Sequence, residues 1–188
     1  MDKITKYLNK HVVAKTSELQ KIAKSRMSII RLAEAGLIQS PMRGYYCLPK
    51  VDPFTASLVI VSKYYKHAVI SGISAAKFYG LTDESINKID VDVLTSFNIQ
   101  NSFLKVKRIG KNRFIGIKEV TLLKNKIKIY DEERTLVDLR LKYSSAIFYK
   151  SLKRYIKKGH VGFDKIKKYD QILSTTVITS IMQELADE

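Results

Sequence analysis

Arg26, Met27, Ser28, Ile30 and Arg31 form a tight cluster of side chains suited to touching the edge of a base pair. An arginine fork can give two parallel hydrogen bonds to guanine, while Met and Ile can lie against a thymine methyl. Ser25 precedes the cluster, and Lys15, Lys21 and Lys24 lie just upstream. Lysines at such positions can hold backbone phosphates, which orient a protein on a duplex without reading its sequence. Arg43 sits beside Gly44, where a turn would carry it out to a phosphate or into a minor groove. The chemistry these residue types offer is recognition of DNA.

Other groupings offer different chemistry. Lys150, Lys153, Arg154, Lys157 and Lys158 recur at three- and four-residue spacing, with Leu152, Tyr155 and Ile156 on the other side. That is a basic amphipathic helix, followed by Lys165, Lys167 and Lys168. It is either a solvated face or a second surface for nucleic acid. Asp90 and Asp92 flank Val91, so both carboxylates share one face of a strand. Such a pair can hold Mg²⁺ for phosphoryl transfer. Leu81 follows Gly80 where a transferase would carry a hydroxyl for phosphate, and no third carboxylate stands out. His11, His67 and His160 do not cluster, and the lone Cys47 cannot build a zinc site. No Gly-rich phosphate loop occurs. The expectation is a protein without catalytic residues, metal or cofactor.

The elements that must position the first cluster can be read from periodicity. Ile4, Tyr7 and Leu8 are spaced for one helix, and Leu19, Ile22 and Ala23 for a second. Thr16 can cap the second, or Ser17 with Gln20 can form a capping box one residue later. Ser25 can cap a third helix with Ile29, Leu32 and Ala33 on its inner face, ended by Gly36. Leu37-Ile38, a turn over Ser40 to Gly44, and Tyr45 to Leu48 read as a hairpin. Helix, helix, short turn, helix, hairpin is the order of a winged helix-turn-helix, whose third helix enters the major groove.

Pro49 and Pro53 mark the expected boundary, giving domains 1–50 and 51–188. Beyond it Ser71 is placed to cap a helix through Phe78 that ends near Gly80. Residues 89–93 read as a half-exposed strand, and 105–109, 120–123 and 126–130 as further strands. Lys124-Asn125 is the expected turn between the last two. Arg134 and Asp138, four apart, share a helix face and are spaced to pair. The fold class is therefore α+β, an N-terminal winged helix-turn-helix followed by a mixed α/β domain with a helical C-terminal portion.

The chain of 188 residues carries 34 Lys and Arg against 18 Asp and Glu, a formal net charge of +16 that favours a polyanionic partner. The excess is split: +7 over residues 1–50, −1 over 51–100 and +10 over 101–188. Absence of a long apolar run, of a signal-peptide core and of a second cysteine favours a cytoplasmic location away from membranes.

Three stretches together resemble the AbiEi-type antitoxins. They are Ser25-Arg26 through Leu37-Ile38 with Arg43-Gly44-Tyr45-Tyr46 and Leu48-Pro49, then His67 to Ala76 with Tyr79-Gly80-Leu81, and Asp131-Glu132-Glu133-Arg134-Thr135-Leu136-Val137-Asp138-Leu139. The resemblance spans about residues 5–185. It implies an antitoxin of a type IV toxin–antitoxin system, active in abortive infection against phage. Such a protein counteracts a nucleotidyltransferase-like toxin without a stable complex, and represses its own operon by binding inverted repeats. Monomers, or a weak dimer, would pair on the DNA. Read from the residues alone, a winged-helix regulator with an unrelated effector domain stands beside it.

Overall fold

The computed structural model describes residues 3–23, 25–159 and 161–186. The chain is mixed α+β with two sheets. It divides into two compact units, one running to Lys66 and including Val120–Ile127, the other comprising His67–Glu119 and the chain from Lys128 onward.

In the first unit α1 (Lys3–His11), α2 (Thr16–Ile22) and α3 (Arg26–Glu34) surround a core of Ile4, Leu8, Leu19, Ile29 and Ile38. The apolar spacing anticipates all three helices. It does not anticipate β1 (Val13–Lys15), which pairs antiparallel with β3 (Tyr45–Cys47), itself paired with β2 (Gln39–Met42). Val13 and Ala14 are fully buried there, so three residues between two helices gain a ladder too short to show any period. β1 also moves the start of α2. Lys15 occupies the cap position and Glu18 accepts from its N–H at 2.8 Å, so neither Thr16 nor a Ser17–Gln20 box caps the helix. Ser25 does cap α3, accepting from the N–H of Ser28 at 3.3 Å. Gly36, at φ +67, ends it in the left-handed region that glycine enters without steric cost.

The hairpin turn is shorter than expected. β2 runs through Pro41 to Met42 and only Arg43-Gly44 turns. Pro41 is tolerated because β2 is an edge strand whose register with β3 shifts between Gln39 and Met42. The Pro49–Pro53 stretch, expected to part the domains, instead starts α4 (Pro53–Tyr64) inside the first unit. Asp52 accepts from the N–H of Thr55 at 2.8 Å, and Pro53 sits in the first turn, where its missing N–H costs nothing.

The five-stranded sheet has the order β6-β5-β4-β8-β7, with β6 and β7 at its edges. Its strands are β4 (Val69–Ile70), β5 (Ile89–Leu94), β6 (Leu104–Ile109), β7 (Ile117–Leu122) and β8 (Asn125–Tyr130). β4 lies antiparallel to β5 and parallel to β8, and β5 lies parallel to β6. The β7–β8 turn is Leu123-Lys124, both at positive φ, one residue earlier than expected. Helices α5 (Gly72–Phe78), α6 (Glu132–Lys142), α7 (Ser145–Ile156), α8 (Phe163–Leu173) and α9 (Val177–Ala186) share a core built on Leu136, Leu139, Phe148, Leu152, Ile166 and Ile181. β5 is buried along Ile89–Val93 rather than half-exposed. Its alternation of Asp with aliphatic residues imitates a solvated face, but lysines and tyrosines cover the carboxylates.

Arg134 and Asp138 do pair across one turn of α6, with the two side chains 3% and 0% exposed. Asp131 caps this helix by accepting from the N–H of Arg134 at 2.8 Å. Ser71 holds the cap position of α5, but its hydroxyl donates to Asp92 at 2.8 Å instead of capping.

Candidate nucleic-acid interface

The third helix presents the sequence cluster outward. Ile29 is buried, while Arg26, Met27, Ile30 and Arg31 are exposed, Met27 at 53% and Ile30 at 37%. Two large apolar side chains held in solvent beside two arginines break the usual pattern of a surface helix, and conserving burial does not explain them. Arg26 and Arg31 make no ion pair with any described residue, so both guanidinium forks are available. Ser28 is half-buried and its hydroxyl lies 3.3 Å from that of Ser25. Both hydroxyls serve the helix start. Glu34, exposed one turn past Arg31, ends the basic face.

The hairpin turn is pinned beside this helix system. The N–H of Thr16 donates to the carbonyl of Gly44 at 2.9 Å, and the Thr16 hydroxyl donates to the same oxygen at 3.1 Å. Gly44, at φ +84, is therefore fixed against the first turn of α2. Arg43 next to it is exposed and has no ion pair among the described residues. An open groove runs along this edge, lined by Lys15, Thr16, Ser17, Gln20, Arg26 and Tyr45. Ser17 and Gln20 thus join the candidate face. Their signal in the sequence was two small polar residues one turn apart, which read equally well as a capping box.

Lys15 is only partly available. Its ammonium lies 4.5 Å from the ring centre of Tyr64 and 5.9 Å from that of Tyr45. The Tyr64 hydroxyl donates to Glu18, which these bonds and the nearby Lys63 hold below the usual carboxylate range against the opposing cost of burial. Lys15 therefore lies at the groove with its charge partly shared with two aromatic faces. Lys24 lies outside the described residues.

The basic residues at 150–158, on α7 and in the turn that follows it, do not form one free surface. Lys150 and Arg154 both pair with Asp83, at 2.8 and 2.9 Å. Lys153 pairs with Glu184 at 3.0 Å. Lys158 pairs with Glu132 at 2.7 Å and donates to the Tyr79 carbonyl. Lys157 alone of the five has no partner among the described residues. Lys150 and Arg154 hold Asp83 well below the usual carboxylate range. The acidic partners come from three separate segments, which helical spacing within 150–158 cannot reveal.

Asp90 and Asp92, the pair spaced for a metal, have other partners. Asp92 accepts from Ser71 and from Lys142, whose ammonium is 3.0 Å away. Asp90 accepts from the Tyr143 hydroxyl at 2.8 Å. Among the described residues no three His, Cys, Asp or Glu side chains are placed to hold a metal. His67 stacks on Phe97 at 3.8 Å, and His11 packs on Tyr7, where burial lowers its pKa. His160 lies outside the described residues. Cys47 is buried in β3, and burial raises its thiol. No helix among the described residues is long and apolar enough to cross a membrane.

No family model matches the sequence, and no curated protein does. Among solved structures the chain is similar to the crystal structure of the RV2827C protein from Mycobacterium tuberculosis, at 14% identity. That likeness covers 89% of this chain and 70% of the other, with a TM-score of 0.58, and it establishes a common fold.

Proposed function

We propose that the first unit is a winged helix-turn-helix that binds operator DNA, and that the chain is a type IV antitoxin repressing its own operon. The observation that carries the DNA reading is the outer face of α3. Arg26 and Arg31 are exposed and unpaired, Met27 and Ile30 stand between them, and the Arg43 turn is braced alongside. In this reading the start of α3 enters the major groove, its arginines meet guanine edges and its apolar pair meets thymine methyls. Arg43 reaches the phosphates or the minor groove next to it, and two chains occupy the halves of an inverted repeat in the cytoplasm.

The antitoxin reading is supported by the resemblance of the three motif stretches to AbiEi-type antitoxins. Two of them fall on the exposed α3 and hairpin and on the capped start of α6. The partner is then a nucleotidyltransferase-like toxin encoded beside this gene, opposed without a stable complex.

Fluorescence anisotropy with the DNA upstream of the gene tests the first part. Arg26→Ala and Arg31→Ala are each expected to cost about 1–3 kcal/mol and to relax the preference at one base position. Equal losses on specific and random DNA would sink base reading by α3. Co-expression with the neighbouring gene's product tests the second part, since growth inhibition must be relieved.

A further inference from the structure

The parallel register of β5 and β6 sets Asp90 beside Lys105 and Asp92 beside Lys107. An Asp-x-Asp face thus lies against a Lys-x-Lys face. The end of α6, with Lys142 and Tyr143, and the start of α5, with Ser71 and Gly72, close over it and leave a cavity of about 260 Å³. Gly72 permits this closeness. Its φ is +51, and a Cβ there would lie 2.7 Å from the Tyr143 hydroxyl.

The inner part of this cavity is electrostatically closed. Lys142 bridges Asp92 and Asp138 at 3.0 Å each, and Arg134 also holds Asp138. The mouth is not closed. Lys107 has no ion pair or hydrogen bond among the described residues, although it lines the cavity. Lys105 meets Asp90 only at 3.5 Å, with its side chain 64% exposed. Although Lys107 is exposed, partial burial and then the nearby Lys142 ammonium hold it below the ordinary lysine range, against the opposing carboxylates of Asp92 and Asp138. Burial raises Asp90, against the Tyr143 hydroxyl and the Lys105 and Lys142 ammoniums, which favour its charged form. The lining carries three lysines against the two carboxylates of Asp90 and Asp92, and Asp92 and Asp138 offset part of the charge on Lys107; the cation left in excess at the mouth favours an anion.

We propose that this cavity seats a single phosphate group gripped by Lys105 and Lys107, supplied as inorganic phosphate or as the terminal phosphate of a nucleotide. The volume corresponds to the share of about nine waters in the liquid, enough for one phosphate with some water. It falls below the ~300 Å³ at which pockets begin to enclose whole small molecules, so the remainder of a nucleotide lies outside. The Tyr143 ring is covered by the Lys105 ammonium at 4.9 Å, which leaves phosphate rather than base as the recognised part.

The test titrates the full chain with inorganic phosphate and with adenosine 5′-monophosphate, by calorimetry and by thermal shift. Saturable binding is expected, weakened about tenfold or more in Lys107→Ala and kept in Lys107→Arg. Lys168→Ala, which removes an equal charge from an exposed position on α8, is expected to bind as the parent does. Tighter binding of the nucleotide than of free phosphate assigns a nucleotide; equal binding assigns phosphate itself. Melting without ligand shows that the variants are folded. The proposal is overturned if neither compound saturates, or if Lys168→Ala weakens binding as much as Lys107→Ala.

Discussion

Asp138 is a completely buried carboxylate serving two cations, Arg134 one turn before it and Lys142 one turn after. Removing it leaves a guanidinium that is 3% exposed with, among the described residues, only the Arg113 carbonyl and the Tyr130 ring beside it, and frees Lys142 from one of its two anchors. A buried charge left without its partner keeps its full desolvation cost, so Asp138→Ala is expected to destabilise the chain by about 3–5 kcal/mol. Urea denaturation measures this, and a loss below about 1 kcal/mol would mean that water reaches the network. Asp83 also serves two cations, yet it is exposed, and its removal is expected to matter far less. Number of partners is thus a poor guide to worth; burial decides it. The same logic bears on the proposed recognition by α3: Arg26 and Arg31 are exposed and have no carboxylate partner among the described residues, so a ligand would not have to break an internal pair.

At the scale of elements, α3 rests on its cap. Ser25 supplies an acceptor to the first turn, and Ser25→Ala is expected to cost about 0.5–2 kcal/mol in denaturant unfolding. A value near zero would show that the turn before α3, not the hydroxyl, starts the helix. This cap was legible in the sequence because it is local: Ser25, Ser28 and the Ile29 face lie within five residues. The three N-terminal helices and the positions of Arg26, Arg31 and Arg43 on their elements were legible for the same reason. What was not legible is long-range. β1 exists because Val13 meets Cys47 across the sheet. Asp90 and Asp92 look solvated in sequence because the lysines and tyrosines that bury them are from β6 and the end of α6. The acidic partners of α7 stand about 25 to 70 residues away. Pro53 reads as a breaker until Asp52 is seen capping the helix that it begins.

For the molecule as a whole, the formal charge of +16 overstates what a duplex can use. Four of the five basic residues at 150–158 already have carboxylate partners, and Lys15 leans on aromatic rings. The exposed cations near α3 with no partner among the described residues are Lys21, Arg26, Arg31 and Arg43. If all four meet phosphate, the slope of log affinity against log salt is expected to be about −4 per chain, and about −2 if Arg26 and Arg31 read bases instead, whereas engagement of the entire net charge would give about −14. Binding isotherms across a salt series distinguish these cases, and the steep slope would return α7 to the interface. The edges of the five-stranded sheet give part of this charge another use. β6, at one end, carries Lys105, Lys107 and Arg108, and β7, at the other, carries Lys118. Unpaired strand backbone invites a neighbour to add on, and cations along it keep like copies apart. A polyanion that coats those edges would therefore remove the repulsion where main-chain donors and acceptors stand open, so a nucleic-acid ligand of the kind proposed is also one able to promote aggregation.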